Sequence, residues 1–230
     1  MTEVSCRPFL VLMSIYIETK ASDLDACMNS LWTEQTVRPM QFCLVCDGPL
    51  SEETEAVVSK WRDLLGDTLD VVRQRENKGL ARVLNLGLSR CRYDIVARMD
   101  SDDLAVEDRF RRQFEYMTAH PEVDVLGGQV VEFDEENEEF IGYRDVPLSD
   151  SEIKKFSKFR CPFSHSSVMF RKPALDRKGR LLSGSFPGGL CAVSQARAGR
   201  RNICKSSGSP CCDERRGNHS KAPRIQILYR

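Results

Sequence analysis

Long apolar runs, an excess of one charge sign and internal repeats are all missing from the 230-residue sequence. No run approaches the length of a membrane-spanning helix, about eighteen uncharged apolar residues, and the run at residues 9–17 is too short for a signal peptide. Basic and acidic side chains balance at 34 each, and 41% of the residues are apolar. These features argue against membrane-spanning, fibrous and disordered classes, so we expect a cytoplasmic globular protein.

The ten cysteines form no recognisable disulfide or metal framework. Their spacing is irregular, and without an export signal we expect free thiols rather than disulfides. Cys43 and Cys46 have the spacing of a redox or zinc pair, but they lie within an apolar run and no second pair matches them. We therefore predict that both belong to the core.

The balanced charge conceals a division of the chain. Residues 1–175 carry 22 basic and 31 acidic side chains, whereas residues 176–230 carry 12 and 3. The second region also holds seven of the 14 glycines, and an apolar pattern returns only at residues 225–229. We predict a folded domain over 1–175 and a poorly ordered basic tail over 176–230. The tail lacks an aromatic or helical surface that could read nucleic acid, so we expect no nucleic-acid partner.

Apolar runs alternate with amphipathic stretches through the first region, which is the pattern of strands joined by helical crossovers. Four runs that predict strands, each followed by a predicted helix, lie at 9–15, 41–46, 69–72 and 94–99. Ser22 is placed to cap the first helix. The predicted buried stripes of the first three helices are Leu24, Cys27, Met28 and Leu31, then Val57, Val58, Trp61, Leu64 and Leu65, then Leu80, Val83, Leu84 and Leu88. The pattern predicts an α/β fold with a mostly parallel central sheet flanked by helices.

Polar residues follow each of the four long strands, where ligands bind in open parallel sheets. These residues are Ser14, Tyr16 and Glu18, then Asp47, then Asn77 and Gly79, then Asp100, Asp102 and Asp103. We expect the four loops to form one site.

The acidic cluster is the sharpest of these signals. Closely spaced carboxylates repel one another unless a cation lies between them, and hard oxygen ligands suit Mg²⁺ or Mn²⁺. The alternative is that Asp102 or Asp103 caps the next helix. A calcium-binding EF-hand loop is excluded, because Leu104 occupies a ligand position and the turn glycine is missing. A metal with few protein ligands keeps open positions that suit a diphosphate.

On these motifs the sequence resembles family 2 glycosyltransferases, inverting enzymes with the Rossmann-like A-type glycosyltransferase fold, and among them the bacterial enzymes of capsule, exopolysaccharide and lipopolysaccharide synthesis. The resemblance covers residues 8 to about 175. The matching segments, in family order and spacing, are 14–18, 30–39, 44–48, 77–88 and 99–103.

The resemblance implies a nucleotide-sugar donor, usually a UDP-sugar, and a saccharide or lipid-linked acceptor. It implies that Tyr16 and Glu18 line the nucleotide pocket and that Asp47 accepts a hydrogen bond from the base. The turn that contains Asn77, Gly79 and Arg82 would border the nucleotide. A lipid-linked acceptor would bring the protein to the inner face of the membrane.

The resemblance also places Asp100 near the ribose and a Mn²⁺ or Mg²⁺ ion, with Asp102 as the best direct ligand and Asp103 facing the sugar or the helix. His165 matches a segment beside the donor and acceptor sites, although a structural role is the alternative for a lone histidine. A basic cluster could contact phosphate, but a solvated helix face is the simpler interpretation of Arg109, Arg111 and Arg112.

No catalytic base can be assigned from the sequence. The family supplies an acidic residue after the position of Leu175, and the one acidic pair of the tail, Asp213 and Glu214, lacks the apolar helix expected around it. One hypothesis is that the tail is translated out of frame, since codons for residues 186–192 can be chosen whose shifted frame reads Phe-Leu-Glu-Asp-Tyr-Ala-Leu. The chain is then a glycosyltransferase whose activity in this form is open.

Two functions other than glycosyl transfer also fit parts of this pattern. The first is a nucleotide-sugar-binding module without turnover, which would keep the donor loops and lack the base. The second is a sugar-phosphate nucleotidyltransferase, which uses a similar sheet and Mg²⁺. It is disfavoured because the loop over residues 14–18 contains no glycine, where that class has a glycine-rich phosphate loop.

Overall fold

The computed structural model describes residues 5–133, 140–143, 147, 150–156, 159, 162–176, 204–205 and 224–228. Its strands are β1 (Ser5–Ile15), β2 (Val37–Cys46), β3 (Leu69–Arg73), β4 (Ile95–Arg98), β5 (Leu104–Ala105), β6 (Val125–Gly127), β7 (Gln129–Phe133), β8 (Phe140–Tyr143), β9 (Met169–Arg171), β10 (Cys204–Lys205) and β11 (Arg224–Leu228). Its helices are α1 (Ala21–Trp32), α2 (Glu52–Leu65), α3 (Leu80–Arg90), α4 (Arg109–Ala119), α5 (Asp150–Phe156) and α6 (Lys172–Asp176), with short 3₁₀ turns at Gly66–Thr68 and His165–Ser167.

The central sheet has the order β10-β6-β9-β4-β1-β2-β3. The four long N-terminal strands β1 to β4 are parallel to one another, while β9 runs antiparallel to β4 and β6. A second sheet has the order β5-β11-β7-β8. The predicted α/β class and mostly parallel central sheet are confirmed.

The central strand β1 is buried on both faces because helices cover both sides of the sheet. Phe9, Val11 and Met13 pack with α1, α2 and α4 in one cluster, and Leu10 and Leu12 pack with α3 in another. This explains why the β1 sequence is continuously apolar rather than alternating. The thiols of Cys27, Cys43, Cys46 and Cys91 are free and buried, which confirms the core interpretation of the 43 and 46 pair.

The helical stripes are confirmed for α1 and in part for α2 and α3. Leu64 is 59% exposed and Leu80 is 42% exposed, so their predicted burial is wrong. In α2 the buried line runs through Val58, Trp61 and Leu65, which turns Leu64 toward solvent. Leu80 is the first residue of α3, ahead of the turns that pack on the sheet.

The predicted cap of α1 is also wrong. The helix begins at Ala21 after Lys20, so Ser22 lies inside the first turn and its hydroxyl donates to Asp23 Oδ1 at 3.0 Å. Helix α2 does have a side-chain cap, because the Thr54 amide donates to Ser51 Oγ at 3.2 Å.

Two short pieces of the region after residue 176 are described. Strand β10 pairs with β6, and β11 pairs with β7 and β5, at the place where the sequence shows its late apolar pattern. The predicted poor order of the tail concerns residues that otherwise lie outside the described ranges, and the division at residue 175 stays a prediction. Within the described ranges, no helix is long and apolar enough to cross a membrane.

Candidate functional site

The parallel register brings the four predicted loops to one edge of the sheet. Ile15 at the end of β1 pairs with Cys46 at the end of β2, which in turn pairs with Arg73 at the end of β3. The chain leaves β4 beside β1, where the Met99 amide donates to the Leu12 carbonyl at 3.1 Å. This edge is the position at which open α/β sheets bind their ligands.

Asp47 joins two of these loops. Its side chain is buried, with Oδ1 accepting from the Lys78 amide at 2.6 Å and Oδ2 accepting from the Gly79 amide at 3.0 Å. Gly48 and Gly79 have φ of 91° and 84°, a backbone region in which glycine meets no Cβ penalty. The carboxylate therefore has a bridging role inside the chain that the sequence interpretation missed, while its predicted contact with a base stays a prediction.

The turn after β3 leads into α3. Asn77 Oδ1 accepts from the Gly79 amide at 3.1 Å, and the Arg82 amide donates to the Gly79 carbonyl at 3.0 Å. The side chains of Asn77 and Arg82 are exposed at this edge. Both side chains are therefore accessible to a ligand at this edge of the sheet.

Tyr16 and Glu18 lie together after β1. The Tyr16 hydroxyl donates to Glu18 Oε2 at 3.1 Å, and 43% of Tyr16 is exposed. Partial burial, the hydrogen bond to Glu18 and the charge of Asp102 raise the pKa of Tyr16, which places this ring within electrostatic reach of the acidic loop. An exposed aromatic ring at this edge of the sheet suits stacking on a planar base.

The acidic loop is not a helix cap. Asp102 and Asp103 are followed by β5, and α4 begins six residues later at Arg109, directly after Asp108. The alternative interpretation of these aspartates as caps of the next helix is therefore wrong.

The carboxylates of this loop are poorly compensated. Asp103 is 4% exposed, and its burial together with the charges of Asp100 and Asp102 raises its pKa, although a hydrogen bond with Ser166 opposes the shift. Burial, followed by the charge of Asp100, also raises the pKa of Asp102. The loop thus concentrates negative charge where part of its hydration has been lost.

No complete metal cage exists in the part of the chain that the structure describes, because no three His, Cys, Asp or Glu side chains converge closely enough to hold an ion. The residues present nevertheless fit a Mg²⁺ or Mn²⁺ ion that completes its shell elsewhere. Their donors are hard oxygens, and Mg²⁺ is usually held by one or two carboxylates together with substrate phosphates. Asp100 and Asp102 are the residues that would hold it.

Hydrogen bonds from two helices, α1 and α4, fix the backbone of the loop. From α1, the Cys27 thiol donates to the Asp100 carbonyl at 3.2 Å, and Ser30 Oγ accepts from the Ala105 amide at 3.1 Å. From α4, Arg109 Nη2 donates to the Arg98 carbonyl at 2.8 Å. None of these contacts was predicted, because they join residues 11 to 75 positions apart in sequence.

The basic cluster of α4 is divided by the fold. Arg111 lies toward the surface and Nη2 donates to Asp108 Oδ2 at 3.1 Å, and Arg112 also pairs with Asp108, as a solvated helix face predicts. Arg109 is fully buried, so the prediction of a solvated position is wrong for this residue. Its guanidinium donates to Gln113 Oε1 at 3.2 Å, which compensates its burial.

The turn that contains His165 borders the acidic loop. Its neighbour Ser166 is hydrogen-bonded to Asp103, and the Ser167 carbonyl accepts from Gln113 Nε2 at 2.8 Å. His165 is half-buried in this turn, so the structure brings it into the same region. Its functional role stays a prediction, and Asp213 and Glu214 lie outside the described residues.

Comparison with protein families gives one matching model, described as Glycosyl transferase family 2, over residues 10–178. Among curated relatives, the amylovoran biosynthesis glycosyltransferase AmsE of Erwinia amylovora is 43% identical over 164 residues, which are 71% of this chain and 60% of the relative. The UDP-Gal:alpha-D-GlcNAc-diphosphoundecaprenol beta-1,3-galactosyltransferase of Escherichia coli is 34% identical over 171 residues, covering 74% and 61%. The chain thus spans about three fifths of these relatives.

Solved structures agree on the fold. S. aureus TarS 1-349 in complex with UDP-GlcNAc superposes with a TM-score of 0.63 at 19% identity, covering 93% of this chain and 60% of the TarS 1-349 chain. The mannosyltransferase PcManGT from Pyrobaculum calidifontis, in complex with GDP-Man and Mn²⁺, gives 0.56 at 16% identity, covering 81% and 50%. The predicted A-type glycosyltransferase fold is confirmed.

Proposed function

Because the chain belongs to glycosyl transferase family 2, we propose that it transfers a sugar from a nucleotide-diphosphate donor to a saccharide or lipid-linked acceptor in surface polysaccharide synthesis. The names of the relatives support each part, since one acts in amylovoran biosynthesis and another uses UDP-Gal and a diphosphoundecaprenol-linked acceptor. We propose a UDP-sugar as the donor and inversion at the transferred carbon. A lipid-linked acceptor would place the protein at the inner face of the membrane.

The acidic loop is the observation that carries this proposal. Asp100 and Asp102 follow β4 and lie at the sheet edge where ligands bind, and the ion pair of Asp100 with Arg98 balances their negative charge only in part. These two residues would hold a Mg²⁺ or Mn²⁺ ion, whose charge stabilises the departing nucleoside diphosphate. Asp103, buried behind them and bonded to Ser166, would support the loop from the sugar side.

The nucleoside would lie across the loops after β1, β2 and β3. Tyr16 offers an exposed ring for the base, with Glu18 orienting its hydroxyl. Asp47 holds the turn at Gly79 in place through its bonds to two backbone amides. The exposed side chains of Asn77 and Arg82 would contact the ribose or phosphates from that turn.

Calorimetric titration of UDP with and without Mn²⁺ tests the proposal, with Asp102→Asn compared against Ser101→Ala. We expect Mn²⁺-dependent binding in the wild type and a loss of about tenfold or more in Asp102→Asn, because that change removes a formal charge from the metal shell. Ser101→Ala changes a neighbouring side chain without altering charge. Equal binding by the two variants would refute the metal assignment, and absence of UDP binding with Mn²⁺ would refute the donor assignment.

A nucleotide-sugar-binding module without turnover is the second candidate. It is favoured by one observation, namely that no acidic base is assigned among residues 176–230. The two candidates separate in an assay of UDP release from a UDP-sugar in the presence of lipid-linked and free saccharide acceptors. Binding without release would favour the module, and the reading frame downstream of the Leu175 codon would then show whether the base was lost with the frame.

A further inference from the structure

Four glutamines among the described residues are at most 2% exposed, and one of them differs from the other three. The Nε2 groups of Gln35, Gln41 and Gln113 donate to backbone carbonyls at 2.8 Å, 3.1 Å and 2.8 Å. The fourth is Gln129, and within the described part of the chain its Nε2 has no hydrogen-bond partner. A buried amide without a partner is unfavourable, so packing alone does not explain a glutamine at this position.

The register of the central sheet places Gln129 at the edge where the candidate site lies. Strand β6 ends at Gly127 and runs parallel to β4, because both strands pair antiparallel with β9. Ala97 and Leu126 pair with the same residue of β9, so the ends of β4 and β6 lie level, two strand spacings or about 10 Å apart. Gln129 follows the end of β6 by two residues, as Asp100 follows the end of β4.

The second sheet repeats this spacing beyond the acidic loop. Ala105 of β5 and Val130 of β7 both pair with Ile227 of β11, so they too lie about 10 Å apart. The acidic loop at residues 100–103 and the segment that contains Gln129 are thus each held between strands at matched positions. A gap of this width allows side chains of both segments to reach the same small ligand.

The gap lies on the side of β4 away from the loops proposed to bind the nucleoside. In the sheet, β1, β2 and β3 lie to one side of β4, and β9 and β6 lie to the other. The turn at His165–Ser167 leads into β9 and therefore stands between the acidic loop and Gln129. Because Ser166 of this turn is hydrogen-bonded to Asp103, the buried side of the acidic loop borders the gap. This is the sugar side of the loop in the proposed function.

We propose that Gln129 is a specificity-determining residue whose Nε2 donates a hydrogen bond to a hydroxyl oxygen of the sugar in the nucleotide-sugar donor. This inference rests on the proposed function, in which the acidic loop holds the diphosphate. A neutral hydroxyl matches an uncharged side-chain donor, whereas charged donors form the stronger bonds to phosphate. A sugar without an acceptor at this position would leave the buried amide unpaired, which is the basis of strong discrimination between substrates.

Gln129→Met tests the inference, with Gln41→Met as the matched control. Calorimetry measures the binding of UDP, UDP-Gal and UDP-GlcNAc with Mn²⁺, and melting is followed without nucleotide. We expect Gln129→Met to keep the affinity for UDP within about twofold and to weaken binding of the UDP-sugar that the wild type prefers by about three- to tenfold. Its melting temperature should stay at or above that of the wild type, because no hydrogen bond of the free protein is lost.

Gln41→Met should show the reverse. It removes the donor to the Arg90 carbonyl and the acceptor of the Arg92 amide, so we expect the melting temperature to fall by about 5 °C or more while the UDP-sugar to UDP affinity ratio stays unchanged. An unchanged ratio in Gln129→Met would overturn the inference, and so would a fall in its melting temperature as large as that of Gln41→Met. A wild type that binds neither UDP nor a UDP-sugar would refute the proposed function and this inference together, whereas normal UDP binding with an unchanged ratio would refute this inference alone.

Discussion

Two loops at the same edge of the sheet use aspartate in opposite ways. Asp47 is buried and gives both of its carboxylate oxygens to backbone amides, those of Lys78 and Gly79. Asp102 and Asp103 are instead placed near Asp100, and burial and mutual repulsion raise the pKa of each. One loop balances its negative charge with two backbone amides, whereas the other balances its charge only in part, through the ion pair of Asp100 with Arg98.

The difference separates a structural carboxylate from a candidate ligand. A carboxylate that accepts two backbone hydrogen bonds stabilises the fold, and it cannot give up those two amides for another partner without a loss of stability. A carboxylate that is repelled by its neighbours destabilises the fold slightly, and a bound cation removes that repulsion. This is the usual pattern at functional sites. The two loops therefore predict opposite signs for the stability of variants, and that contrast can be tested.

The largest expected effect concerns the support of the acidic loop. Replacing the fully buried Arg109 by Met would leave the Arg98 carbonyl and Gln113 without their donor, and we expect a loss of about 3 to 5 kcal/mol in the free energy of unfolding. Urea denaturation followed by circular dichroism measures it. Arg112→Met on the same helix is the control, since its exposed ion pair should contribute under about 1 kcal/mol. Similar losses in both variants would contradict the role of Arg109.

Asp47→Asn should have the next largest effect. The amide keeps one acceptor oxygen but places an NH₂ group against the second backbone amide, so one of the two loop bonds is lost. We expect the free energy of unfolding to fall by about 1 to 3 kcal/mol. The control is Asp67→Asn on the 3₁₀ turn after α2, at a position away from this edge. A neutral result at Asp47 would show that the carboxylate is not a structural bridge.

Asp102→Asn should act in the opposite direction on the metal-free protein. Removing one charge from the repelling cluster should raise the free energy of unfolding by about 0.5 to 1 kcal/mol, while Mn²⁺-dependent UDP binding is lost. Thermal melts without and with Mn²⁺ and UDP measure both effects on the same sample. If Asp102→Asn lowers the stability of the metal-free protein as Asp47→Asn does, the contrast between the two loops fails.

The sequence predicted the part of the fold and site that local patterns encode. Periodicity placed the four parallel strands, and the position of polar residues after each strand led to one edge of the sheet, because strand ends are local features of the chain. The supports of the acidic loop were not predictable in this way. Arg109, Gln113 and Cys27 look like ordinary positions of amphipathic helices. Only the packing of α1 and α4 on the sheet brings Cys27 and Arg109 to the acidic loop and Gln113 to the turn at Ser167.

Local sequence patterns also failed to predict which residues lie at the edges of helices. The exposure of Leu64 depends on which of two adjacent leucines the sheet accepts, and the start of α1 at Ala21 leaves Ser22 inside the helix rather than before it. Arg98 shows the limit at the site itself, since an arginine at the end of an apolar strand reads as a surface residue until its burial and its pairing with Asp100 are known. These outcomes depend on contacts between distant segments, which a local pattern does not contain.

The smallest effect is expected for a third kind of carboxylate, one that is satisfied by an exposed partner. Asp25 on α1 accepts from Lys60 Nζ at 2.7 Å and from Trp61 Nε1 at 2.7 Å, and the hydrogen bond with Lys60 is the main cause of its lowered pKa. The folded-state pKa of Asp25 lies below its unfolded-state pKa, so its contribution to the free energy of unfolding is fully present above the unfolded-state pKa. This contribution is lost as the pH falls through the folded-state pKa. With 38% of the side chain exposed, we expect Asp25→Asn to cost about 0.5 kcal/mol at pH 7 and close to nothing at an acidic pH below the folded-state pKa. Urea denaturation at both pH values measures the difference. Asp25→Asn can be compared directly with Asp47→Asn at pH 7. If both variants lose the same free energy of unfolding, an exposed ion pair stabilises the fold as well as two buried backbone hydrogen bonds do. Burial of those bonds would then not be what distinguishes the structural carboxylate.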